Sequence, residues 1–177
     1  MAERSPITNT SRDAICDLTA RQAREMFFYC PDEGRLFRRI RSGTTGRKGE
    51  MAGSLRKSGY RSVHVNGRLY VEHRLIWLWW YGEWPRVQID HANGIRDDNR
   101  VSNLRLATNA ENQRNAGVRR DNRLGVKGVH KAGNRYRALI SVNGKQRHLG
   151  YYQSIDAARE AYNRASTELH GQFSRLA

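Results

Sequence analysis

Asp90 and His91 are adjacent, and they precede Asn93-Gly94, a pair that favours a tight turn. Asn112 follows Asp90 at a distance of 22 residues. Breaking a phosphodiester bond needs a nucleophilic water, a base to deprotonate it and a cation at the leaving oxygen, and an imidazole, a carboxylate and a carboxamide can serve those needs. The imidazole titrates near neutral pH and can take a proton from water. The carboxylate and the amide oxygen can hold a cation at the leaving oxygen. Both are hard ligands, which favour Mg2+ or Mn2+ over Zn2+. Taken alone, an Asp-His pair before a turn is more often turn chemistry, with the Asp accepting from backbone amides. What surrounds the pair decides between the two readings.

The surrounding elements are legible. Val87–His91 reads as a strand, followed by a loop rich in Asp and Asn, and Asn103–Leu106 reads as the returning strand. Thr108 then caps a helix, with Glu111 three residues on, the spacing of a capping box. Side chains alternate along a strand, so Asp90 and His91 are expected on opposite sides. A helix packed beneath the hairpin can bring Asn112, in its second turn, towards Asp90. Asn93, Asn99, Asn109 and Asn115 are rival carboxamides close by. Asp97 and Asp98 are expected to shape the loop.

Upstream, MFFYC, PDEG and RLFRRI read as a β-hairpin, and residues 41–59 as a long basic loop. A second hairpin turns at Asn66-Gly67. EHRLIWLWWYG, residues 72–82, reads as a helix that is apolar nearly all round, so it is expected to be well buried and to end at Gly82. His73 on it reads as structural or phosphate-contacting, with the structural reading preferred. Residues 1–18 lack periodicity and are expected to be frayed or loosely helical. Downstream, Gly125–His130, Arg135–Val142 and Gln146–Tyr151 read as three strands, with Asn143-Gly144 turning the second into the third. Ser154 caps a helix over about 155–170, whose stripe is Ala158, Ala161, Tyr162, Ala165 and Leu169, stopped by Gly171.

The chain has 177 residues, with 32 Lys and Arg against 17 Asp and Glu, a net charge of +15. That excess points to a polyanionic partner, nucleic acid before an anionic membrane. It is unevenly spread: residues 1–86 hold 16 basic and 9 acidic groups, 87–116 hold 4 of each, and 117–177 hold 12 and 4. The basic flanks read as phosphate-binding surface, and the acidic groups between them as the place for a cation. Cys16 and Cys30 have no metal-ligand spacing and make no disulfide framework, which fits a reducing cytoplasm. The first fifteen residues are too polar for a signal peptide. The longest apolar run, Leu75–Tyr81, is far short of the roughly 20 residues that span a bilayer.

The run IDHANGIRDDNRVSNLRLATNAENQRN, with HRLIWLWW before it, resembles the HNH homing endonucleases of phages and introns. The resemblance implies a ββα-metal site in which Asp90 binds metal and His91 is the general base. It implies that Asn103 holds the loop and that Asn112, nine residues on, is the second metal ligand. One divalent ion, Mg2+ or Mn2+, would serve at phosphate, and the products would carry 5′-phosphate and 3′-hydroxyl.

The segment GVKGVHKAGNRYRALISVNGKQRHLGYYQSIDAAREAYNRASTELHG resembles the plant ethylene-response-factor (Apetala-type) DNA-binding domain. In that family the sheet lies in the major groove. By position the readers would be Lys127, His130, Arg137, Ser141, Gln146 and His148, with Arg135 and Arg147 on phosphates. The plant domains carry mostly Arg and Trp at these positions, so the target sequence does not carry over.

Together these readings give an α+β protein. An N-terminal β-rich region and a ββα-metal module precede a small three-stranded antiparallel sheet packed on one helix. The divisions are a DNA-contacting region over 1–60, a nuclease module over 61–115, a basic linker over 116–124 and a DNA-binding domain over 125–177. The expected function is metal-dependent endonucleolytic cutting or nicking of double-stranded DNA, targeted by the C-terminal domain. The competing reading is a non-catalytic, sequence-specific DNA-binding regulator. An RNA-binding role is weaker, because neither module shows a base-stacking face for single strands. One ββα site per chain suggests nicking by a monomer unless two chains pair. No membrane is expected to be involved, and the location is the cytoplasm, that of the host cell if the chain is phage-encoded.

Overall fold

The computed structural model describes residues 18–43, 46–118, 121–174 and 176. The frayed start read from the sequence, and Cys16 with it, lie outside the described residues apart from Leu18, as do Arg119 and Arg120 of the linker. The fold is α+β, and the chain divides into two compact units, 1–85 and 86–177.

In the first unit, Thr19 and Gln22 form a capping box that starts α1, Ala20–Met26. Neither the box nor the helix is among the sequence expectations, because seven residues carry too little periodicity to register. The hairpin β1 (Phe27–Cys30) and β2 (Arg35–Arg38) follows as expected. The basic loop is less irregular than its composition implies. It contains β3, Ser54–Leu55, which pairs with β4, Arg61–Val65. Asn-Gly turn chemistry then closes β4 onto β5, Arg68–Val71: Asn66 and Gly67 both have positive φ, 49° and 76°. Helix α2, Glu72–Tyr81, ends at a left-handed Gly82. Its Leu75, Ile76 and Leu78 are buried, as are Phe27, Tyr29, Leu36 and Val63 of the same unit. Its last turn is not buried as expected: Trp80 and Tyr81 are about half exposed, Trp80 meeting Tyr29 edge-on and Tyr81 lying tilted against the Trp77 ring.

The second unit opens with β6, Gln88–His91, antiparallel to β7, Leu104–Ala107. A 3-10 turn over Val101–Asn103 leads into β7, and Thr108 caps α3, Asn109–Asn115, through the expected reciprocal bonds with Glu111. A second sheet orders β8 (Val129–Ala132), β9 (Arg135–Val142) and β10 (Lys145–Tyr152) as β10-β9-β8, with α4, Ile155–His170, across one face. Val129, Ala138 and Ala158 form its centre. The first strand begins four residues later than its sequence implies. The preceding loop is pressed against α4, where a Cβ on Gly128 would lie 2.2 Å from the Tyr162 ring. A bulge between His148 and Gly150 puts Leu149 against the core and restores the alternation at Tyr151. After Gly171 the chain turns back through Gly171–Phe173 and buries Phe173.

Candidate functional site

The β6–β7 register places Asp90 opposite Arg105 and His91 opposite Leu104. Strand pleating therefore sends Gln88 and Asp90 to one face and His91 to the other. Helix α3 lies against the Asp90 face. Its cap residue and its first turn fix where it starts, and one turn later its carboxamides meet the strand.

Asp90 is 4% exposed. Its Oδ2 accepts from Nε of Arg105 at 2.8 Å and lies 2.6 Å from Nη2 of the same guanidinium. Asn115, buried, donates its Nδ2 to Oδ1 of Asp90 at 2.9 Å, to Oδ2 at 3.1 Å and to the carbonyl of His91 at 2.7 Å. Asn112, one turn earlier on the same face, donates its Nδ2 to Oε1 of Gln88 at 2.7 Å. The residue next to Asp90 is thus Asn115, and the expected ligand Asn112 stands beside Gln88.

His91 is also buried, and its Nε2 lies 3.0 Å from Oδ1 of Asn99. With that oxygen accepting, the ring proton sits on Nε2 and the lone pair on Nδ1. Burial pushes the His91 pKa below its ordinary value. The Asn99 bond and the carboxylates of Asp90, Asp98 and Asp97 oppose that shift without reversing it. The ring is therefore neutral at pH 7.

Asn103 ties the loop between the strands. Its Oδ1 accepts from the Asn93 amide at 2.9 Å, and its Nδ2 donates to the Asp98 carbonyl at 2.8 Å and to Oδ1 of Asn93 at 3.0 Å. Asp98 grips Arg100 through both oxygens and accepts from Asn93, and the Arg100 bonds hold its carboxyl down at about 2. Asp98 shapes the loop, as the sequence implies. Arg105 is the partner that sequence reading missed, and Asn99, 1% exposed, figured there only as one of several rival carboxamides. The only signal for either was position: Asn99 among the loop's asparagines, and Arg105 opposite Asp90 once the hairpin register is drawn.

Among the described residues, no group of three or more His, Cys, Asp or Glu gathers to hold a metal. The donors present are of the right kind for a hard divalent ion, one carboxylate with carboxamide oxygens on the facing helix. Asn112 bonds Gln88 through its nitrogen, which leaves Oδ1 as its ligating end. The buried Asp90 carboxylate also needs a cation, and Arg105 is the one beside it.

On the C-terminal sheet, the face away from α4 carries a row of His130, Arg137 and Tyr151, then Leu139 beside His148, then Ser141 beside Gln146. Arg135 is exposed at the start of β9 on the same face. Two of the expected DNA contacts lie elsewhere. Arg147 is opposite Ile140, on the helix side, where it lines a groove with Arg164 and Glu168. Lys127 donates its Nζ to the carbonyls of Arg114 and Ala116, capping the end of α3. A groove of ≈ 1050 Å³ runs from Gln113 and Ala116, past Lys127, to His130 and Gln146.

Residues 70–114 match the HNH endonuclease family. Protein 3.8 of Escherichia phage T7 is 31% identical over 125 residues, covering 69% of this chain and 99% of that protein. This chain contains an HNH endonuclease family domain. An uncharacterized HNH endonuclease of Acanthamoeba polyphaga mimivirus is 30% identical over 121 residues, 68% of this chain, and the match spans only 63% of the viral protein's length. No solved structure matches the chain. The HNH match runs through β5, α2, β6, β7 and most of α3, and so includes Asp90, His91, Asn103 and Asn112 but stops just before Asn115. No described helix is long and apolar enough to cross a membrane.

Proposed function

We propose that this HNH protein is a metal-dependent endonuclease that hydrolyses phosphodiester bonds in double-stranded DNA and is targeted by its C-terminal sheet. The observation that carries the reading is the pairing of a buried, neutral His91 with a buried Asp90 on adjacent positions of one strand, each held by a carboxamide. Asn99 keeps the proton on Nε2 of His91, so Nδ1 is the nitrogen that takes a proton from water as it attacks phosphorus in line. Asn115 orients Asp90 by donating to both carboxylate oxygens. Asp90 and the Oδ1 of Asn112 would hold the divalent ion. Such an ion, when bound, neutralises charge on the phosphate and on the leaving 3′ oxygen. Asn103 keeps the loop closed so that Asn99 stays on the imidazole.

The DNA-binding part of the reading rests on charge and on the exposed sheet face. His130, Arg135, Arg137, Ser141, Gln146 and His148 form a polar surface facing away from the core, in the manner of the ethylene-response-factor domain, with residues 125–177 as that domain. Arg147 lies on the helix side of the sheet, and Lys127 borders that face from the groove beside the end of α3. The basic groups of residues 1–60 would add phosphate contacts, giving a strong salt dependence. The test is conversion of supercoiled plasmid with Mg2+, Mn2+ or EDTA by wild type, Asp90→Ala and His91→Ala. Metal-dependent relaxed or linear product from wild type, with both variants binding but not cutting, is the expected result. Binding without cleavage under every metal would establish the non-catalytic regulator instead.

A further inference from the structure

Arg105 is held from two sides. In front, its Nε and Nη2 face Oδ2 of Asp90. Behind, its Nη1 donates to the Gln172 carbonyl, and the guanidinium carbon sits 4.1 Å over the Phe173 ring. Gln172 and Phe173 belong to the turn that follows α4, about 67 residues further along the chain. Phe173 is 7% exposed. The C-terminal turn thus presses one cation onto the single carboxylate that the nuclease reading assigns to a divalent ion.

We propose that Arg105 is a positioning residue that keeps Asp90 neutralised, and that a divalent ion must compete with it, with the Gln172–Phe173 turn as its latch. The inference rests on the metal-dependent nuclease reading. The physical basis is electrostatic. A guanidinium and a dication a few ångströms apart in a poorly solvated site repel strongly, so the ion binds weakly while Arg105 stays in place. DNA brings a phosphate whose negative charge offsets that repulsion. Ion occupancy then becomes dependent on substrate, and an ion binds Asp90 only weakly in the DNA-free protein. The coupling is reciprocal: an ion on Asp90 weakens the hold of the C-terminal turn on Arg105.

The experiment is Mn2+ binding to the full chain, followed by electron paramagnetic resonance of the free ion, with and without a short DNA duplex. Arg105→Gln is expected to raise Mn2+ affinity of the DNA-free protein by about tenfold or more, a modest figure for removing a unit charge at this range. Phe173→Ala, which loosens the latch but keeps the charge, is expected to give about two- to fivefold, the size of a lost cation–π contact. It also serves if Arg105→Gln does not fold. Arg105→Lys keeps a charge without the fork and is expected to stay close to wild type. Adding Mn2+ should speed amide exchange at Gln172 and Phe173. If Arg105→Gln and Phe173→Ala bind Mn2+ no more tightly than wild type while Asp90→Ala abolishes binding, the competition is overturned and the metal site stands. If Asp90→Ala binds Mn2+ as wild type does with the duplex present, the ion is not at Asp90, and both this inference and the metal-dependent reading fail.

Discussion

Each unit of the molecule contains a buried Arg–carboxylate pair, and the two pairs do different things. In the first unit, Nε of Arg61 meets Oε2 of Glu72 at 3.0 Å, with side chains 13% and 0% exposed. In the second, Arg105 meets Asp90 at 2.6 Å, with side chains 19% and 5% exposed. By distance and burial they are nearly the same object. Their surroundings differ. Glu72 accepts from the Leu36 amide, and Arg61 reaches the Gly53 carbonyl, so that pair stitches β2, β4, α2 and the residue before β3 together. Burial raises the Glu72 pKa, against the lowering effects of the Leu36 amide, Arg61 and Arg35. Asp90 instead adjoins a neutral imidazole and faces a helix that presents carboxamides. A buried charge pair is therefore weak evidence for a site, and neighbouring chemistry is what separates structural from functional pairs.

The comparison breaks if the two units respond alike to substitution. The largest effect expected is from His91→Ala. Plasmid cleavage per folded molecule should fall by roughly 10²- to 10⁴-fold, the usual worth of a general base. Next is Arg61→Ala, which strands Glu72 in the core. Urea unfolding should show a loss of about 3–5 kcal/mol, the range for removing one partner of a buried pair, while cleavage per folded molecule is unchanged. Reduced cleavage at normal stability would move the Arg61 pair from scaffold to site.

Asn99→Leu sharpens the second unit more gently. It keeps burial but removes the acceptor that raises the His91 pKa. In wild type, the acid limb of cleavage should have its midpoint below the ordinary histidine value of 6.5, because burial depresses the pKa. The variant's limb should lie lower still, with reduced turnover above it. A limb that moves up would show that Asn99 does not support the protonated ring. The same shift acts on stability. The unfolded chain binds a proton at higher pH than the folded one, so the His91 contribution is complete above 6.5 and declines as pH falls below it. The smallest effect is from Thr108→Ala, which removes the N-cap of α3 at a cost of about 1 kcal/mol. It should appear as faster amide exchange in α3, with β4 and β5 of the first unit unaffected.

Local chemistry explains what could be read from sequence. Asn66-Gly67 and Asn143-Gly144 turn hairpins because their backbone tolerates positive φ, and both pairs adopt it. Thr108 and Glu111, or Ser154, start helices because their side chains take free amides within one turn. The alternation of Arg135–Val142 gives β9 to the residue. Where a contact spans a longer separation the sequence is quieter. The strand Gly125–His130 shifts to Val129 because Gly128 abuts Tyr162, 34 residues away, which no local pattern encodes. Lys127 looked like a sheet reader and caps α3 instead.

Within the site, the sequence by itself determined the residue types, the element order and the placing of Asp90 and His91 on opposite faces of one strand. These follow from turn, cap and pleat preferences that act over a few residues. Only the tertiary structure decided the partners. A strand advances about 3.3 Å per residue and a helix about 1.5 Å, so two elements laid side by side match at positions set by how they dock. That docking puts Asn112 on Gln88 and Asn115 on Asp90, closes the loop so that Asn99 meets His91, and returns Phe173 to Arg105 from the far end of the chain.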